Sequence, residues 1–164
     1  MEVLEGEDDL GIVVRSHIIV EQYLNTLIES FVVSVKHFKK IKLDFHATVK
    51  LAIALGLNPR FEKPLNALGT LRNDFAHNLR PEISNQDANN LYQTLDGEDK
   101  QILQQCLGKT RKKLPEQDIA QYQSLSPKTK YIVNVTVICG ALETACNQLP
   151  NQPLKKGAGN KSAS

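Results

Sequence analysis

Cysteine is scarce and odd in number: Cys106, Cys139 and Cys146 are the only ones, and their spacing is not that of a metal site. Cys139 and Cys146 fall two turns apart on a helix, where they cannot bridge. All three are expected as small apolar core or interface residues in a reducing compartment. No uninterrupted apolar run reaches the length of a membrane span. The acidic beginning (Glu2, Glu5, Glu7, Asp8, Asp9) is unlike a signal peptide. A soluble, cytoplasmic protein with no membrane partner is therefore expected. Charge of one sign is also missing: the net charge is only +2, so bulk electrostatics does not announce nucleic acid. There is no glycine-rich phosphate loop, Walker motif or nucleophile elbow. No helix-turn-helix is evident, which makes direct DNA reading the weakest option. His17, His37 and His46 are scattered and read as ordinary surface or partly buried residues, so neither metal nor cofactor is expected.

What is present is a hydrophobic fraction of 41% in 164 residues, enough for one cored domain over residues 1–150. The remainder, 151–164, reads as a flexible basic tail. The apolar positions Val13, Val20, Leu24, Leu27 and Phe31 recur at helical spacing from about Leu10 to Phe38. A helix of roughly 28 residues would be about 42 Å long, suited to a bundle spine or dimer contact. A second helix is expected from Asp44, its cap, to Leu55, with Gly56 ending it. A third starts near Pro64 and stops before Pro81. Ser84-Asn85-Gln86-Asp87 resembles a capping box opening a fourth helix to about Leu95. A short fifth spans 98–107 and ends at Gly108, followed by a loop over 109–125. Residues 131–139 alternate β-branched residues and could be a strand. Ser126-Pro127 and about 20 residues of continued apolar content favour a helix instead, apolar nearly all round and buried. The fold class is thus all-α, a bundle of about five to six helices. Two basic clusters, 35–42 and 109–113, could meet phosphates, although a solvated face is the better reading of each alone.

"TLRNDFAHNLRP", residues 70–81, concentrates the polar chemistry. At 100° per residue, Leu68, Leu71, Phe75 and Leu79 form the core stripe. Asn66, Thr70, Asn73 and His77 cluster on the opposite side. Arg72 lies near the stripe edge, about 140° from His77, so one straight helix does not make them a pair. A long side chain reaching round, a distortion of the helix or a second chain would be needed.

The run Arg72-Asn73-Asp74-Phe75-Ala76-His77 resembles the Arg-polar-x(n)-His motif of the HEPN superfamily. The preceding "KLDFHATVKLAIALGL" (42–57) brings it nearer to the mannitol-repressor-like (MltR) branch. The resemblance covers roughly residues 10–80 and a buried last helix. It implies a helical homodimer with facing motifs, and a metal-independent endoribonuclease of toxin or defence type. Arg72, Asn73 and His77 would be the catalytic residues, RNA the substrate and an antitoxin the partner. A histidine can take the 2′-hydroxyl proton and an arginine can hold the phosphate. The alternative is a non-catalytic MltR-like transcriptional regulator acting through a regulatory protein partner. The retained Arg72 and His77 favour the enzyme; the modest net charge and the MltR likeness favour the regulator. Arg72 could equally pair with an acid such as Glu21 on the first helix, and His77 could serve the helix dipole.

Overall fold

The computed structural model describes residues 8–78, 80–113 and 122–151; for 109–113 it describes the backbone only. Leu79, assigned to the core stripe from the helical spacing, lies outside the described residues, as do most of the 109–125 segment and the tail from 152 onward. Every α-helix and 3-10 turn is local, and no strand occurs among the described residues. The α-helices are α1 (Asp9–Glu29), α2 (Val35–Phe38), α3 (Phe45–Ala54), α4 (Glu62–Asn78), α5 (Asn85–Thr94), α6 (Gly97–Lys113) and α7 (Pro127–Gln148). Six of them have ten residues or more, so the all-α bundle is observed. α1 and α7 form the spine, with α3 and α4 against α1, α5 bridging α4 and α7, and α6 along α7.

The long first helix expected from periodicity is corrected. α1 stops at Glu29, and a separate one-turn α2 follows. Ser30 closes the end with its hydroxyl donating to Leu27 O at 2.6 Å. The next residues, Val32, Val33, Ser34 and Val35, have poor helix propensity, and Val33 is wholly exposed. The fully buried stripe of α1 ends at Leu27 and Ile28, and the following Phe31 and Val32 are only partly buried against the core, so less burial rewards a longer helix. Lys39 then returns to Glu29 at 3.2 Å.

The fifth helix is also longer than expected, since α6 passes through Gly108 to Lys113. A single interior glycine costs only about 1 kcal/mol, which does not end a helix by itself. Gly56, by contrast, does close α3, at φ +115°, a conformation that favours glycine. The capping box is present: Asp87 N donates to Ser84 Oγ at 3.1 Å and Ser84 N donates to Asp87 Oδ2 at 2.8 Å.

Residues 131–139 are helical. Ser126 caps α7, accepting from Thr129 N at 3.1 Å, and Pro127 occupies its first turn. Tyr131, Val135, Ile138 and Leu142 then fall three to four residues apart on the core side. That period buries them against α1 and α5, and packing outweighs the local β propensity. Asn134 is fully buried. Its Nδ2 donates to Ala88 O at 3.0 Å and meets the Tyr122 hydroxyl at 2.9 Å, tying α5, α7 and the turn at Tyr122–Ser124 together.

By length and composition alone, Pro127–Asn151 would suffice to cross a membrane, although Lys128, Lys130, Asn134 and Glu143 interrupt its apolar run. It is the helix at the centre of this core, with the buried polar residues Lys130 and Asn134 in its first half. Cys139 and Cys146 are half-buried and pack against the core, while Cys106 is exposed and so is not a core residue. Burial pushes the Cys139 thiol up to about 11.

Candidate functional site

α3 is placed by Asp44, whose Oδ1 accepts from Ala47 N at 2.7 Å. This cap puts Phe45 and His46 in the first helical turn, facing α1 and α4. Phe45 needs room on α4, and Gly69 supplies it. A Cβ at Gly69 would lie 2.8 Å from Phe45 Cδ1, closer than such contacts occur. The Phe45 ring also packs against the His17 ring of α1, with centroids 4.2 Å apart. One aromatic side chain thereby sets the spacing of three helices.

Between those helices lies an open cleft of about 690 Å³. α1 contributes His17 and Glu21, α3 contributes His46, and α4 contributes Asn66, Arg72 and Asn73. Arg72 Nη1 donates to Asn73 Oδ1 at 3.1 Å. Among the described residues Arg72 makes no ion pair, so the tie to Glu21 weighed from sequence does not form. Glu21 instead stands 3.9 Å from His17 Nδ1.

Two of the three residues proposed from the motif are therefore in the cleft. His77 is not. It is exposed in the last turn of α4 and does not line the cleft. It continues the Asn66–Asn73 face about 6 Å farther along the helix axis than Asn73. His17 and His46, read from sequence as ordinary residues, are the imidazoles that line the same cleft as Arg72. The signal that could have found them is weak: His46 follows a capping aspartate and a phenylalanine, and its distance along the chain from Arg72 says nothing about proximity. Among the described residues no group of three His, Cys, Asp or Glu is arranged to hold a metal ion.

No family model, curated protein or solved structure matches the chain. The chemistry must be read from the cleft itself.

His17 is buried, and that burial pushes its pKa below the ordinary histidine value of 6.5; Glu21 opposes the shift and the Arg72 charge adds to it. Above the ordinary value, folded and unfolded chains both hold a neutral ring. As the pH falls, the unfolded chain takes the proton first, so stability is lost until the pH passes the lower folded value. Melting temperature should therefore fall on acidification from about pH 7 to about pH 5. His17→Gln should flatten part of that slope, while His37→Gln, at an exposed site on α2, should not. Thermal melts across this range check it; equal slopes in wild type and His17→Gln would refute the assignment.

Proposed function

We propose that the protein is a metal-independent endoribonuclease of HEPN type, acting as a homodimer in the cytoplasm. The observation that carries this reading is Arg72: a guanidinium held by Asn73 and without an ion-pair partner among the described residues, on an open cleft that two imidazoles also line. A charge in that setting is available to a phosphate. An isologous contact through the exposed end of α4 would carry a second copy of His77 toward the cleft of the first, which supplies a role for a residue outside its own cleft.

The test uses purified protein with RNA, with matched DNA and with RNA in excess EDTA, alongside light scattering at micromolar concentration. Cleavage of RNA alone, unchanged by EDTA, and a dimer mass are expected. The chemistry requires a 2′-hydroxyl nucleophile, so cleaved DNA would overturn it; so would loss of RNA cleavage in EDTA. A monomer mass would remove the composite role of His77. One observation favours the regulator reading, a helical dimer that acts through protein partners: His77 is exposed and apart from Arg72's cleft. Inert protein in the RNA assay would leave that reading in front.

A further inference from the structure

His46 lies outside the 72–77 motif, yet it lines the same cleft as Arg72 and is exposed to solvent. Its Nδ1 is 2.9 Å from Oδ1 of Asn66 on α4. A carboxamide oxygen only accepts, so Nδ1 of the neutral ring carries the hydrogen and the lone pair is left on Nε2. The other histidines lack this combination. His17 is buried under Phe45 beside Glu21. His37 pairs with Ser34 on α2, and His77 stands beyond the cleft. Asp44, the nearest acid in sequence, is occupied by the α3 cap.

We propose that the cleft takes the phosphate ester of a ribonucleotide between Arg72 and His46, and that Nε2 of His46 accepts the 2′-hydroxyl proton. The substrate class rests on the ribonuclease reading above. The step balances without an added reactant. The proton passes from O2′ to Nε2, the O2′–P bond forms and the P–O5′ bond breaks. The departing 5′-oxygen takes a proton from water, and the proton released by His46 neutralises the hydroxide left behind. The products are a 2′,3′-cyclic phosphate and a 5′-hydroxyl. Arg72 holds the non-bridging oxygens as charge grows on them. Asn66 acts through His46, as a positioning residue that fixes its tautomer.

The full chain, carrying isotope-labelled histidine, is titrated with uridine 3′-monophosphate, with uridine and with inorganic phosphate. The His46 ring resonance is followed by NMR and assigned from His46→Gln. A saturable shift with the nucleotide is expected, with a higher midpoint pH for His46 in the complex, because a bound anion favours the imidazolium. Uridine should leave it unmoved. His46→Gln should lower RNA cleavage by at least about 10²-fold at an unchanged melting temperature. Asn66→Leu should lower it less and displace the acidic limb of the pH–rate profile. A His46 signal that ignores the nucleotide overturns the proposal whether or not RNA is cleaved, and it decides the matter even if His46→Gln folds poorly. Full cleavage by a folded His46→Gln also overturns it and leaves the ribonuclease reading standing. A response to inorganic phosphate equal to that with the nucleotide overturns the ribonucleotide assignment. Wild-type protein that cleaves no RNA while His46 still follows the nucleotide overturns the proton transfer and the ribonuclease reading together, and supports only the phosphate-ester site.

Discussion

Arg72→Ala should reduce RNA cleavage by about 10³-fold and leave the fold intact. The loss follows from removing the one guanidinium in the cleft, which would otherwise hold the phosphate through charge-assisted hydrogen bonds. Were Arg72 paired with an acid such as Glu21 on α1, the alanine would also lower the melting temperature by stranding that acid. The structure removes that reason. Arg72 is half-exposed and its hydrogen bond is to the exposed Asn73, so no buried charge is stranded by the alanine. Stability should change by less than about 1 kcal/mol. Arg72→Lys keeps the charge but loses the planar fork, so it should fold like wild type and remain strongly impaired. His77→Ala, at an exposed site, should also cost little stability; its effect on cleavage reports on the composite dimer. Thermal melts and cleavage rates on the same preparations check all three. Arg72→Ala with wild-type cleavage would end the phosphate-holding role, and a large fall in its melting temperature would mean that Arg72 ties helices together after all.

Asn134→Ala should be among the most destabilising single changes, at about 3 kcal/mol. Its amide lies in the core and meets two partners, Ala88 O of α5 and the hydroxyl of Tyr122. Truncation leaves both without that bond inside the protein and opens a small void; each stranded polar group costs about 1–3 kcal/mol. For a chain of this size the melting temperature should drop by roughly 6–12 °C. Tyr122→Phe removes only the hydroxyl and should cost about 1 kcal/mol. Asn147→Ala, at an exposed position on the same helix, should stay within about 0.5 kcal/mol. Urea unfolding of the three variants measures the ranking. An Asn134→Ala protein as stable as Asn147→Ala would show that the buried amide is not holding α5 to α7.

Much of the helical framework is legible because its signals are local. Asp44 before α3, Ser84 with Asp87 at α5 and Ser126-Pro127 at α7 each satisfy backbone N–H groups within three residues of themselves, and the chain order alone reveals them. The stripe of Leu68, Leu71 and Phe75 on α4 is likewise a property of spacing, and all three are buried. The same reasoning overran the first helix, because periodicity persisted through Phe31 while full burial ended at Ile28 and Phe31 is only partly buried against the core.

The cleft belongs to the other category. Sequence by itself determined an all-α chain and singled out Arg72, Asn73 and His77 on one helix. Only the tertiary structure decided that Arg72 and Asn73 share a cleft with His17, Glu21 and His46, and that His77 does not line it. The physical reason is that helix caps and stripes depend on neighbours a turn or less away, whereas the cleft depends on three helices meeting. That meeting hinges on Phe45 lying over Gly69 and against His17, contacts between residues 24 and 28 positions apart whose proximity no periodicity encodes.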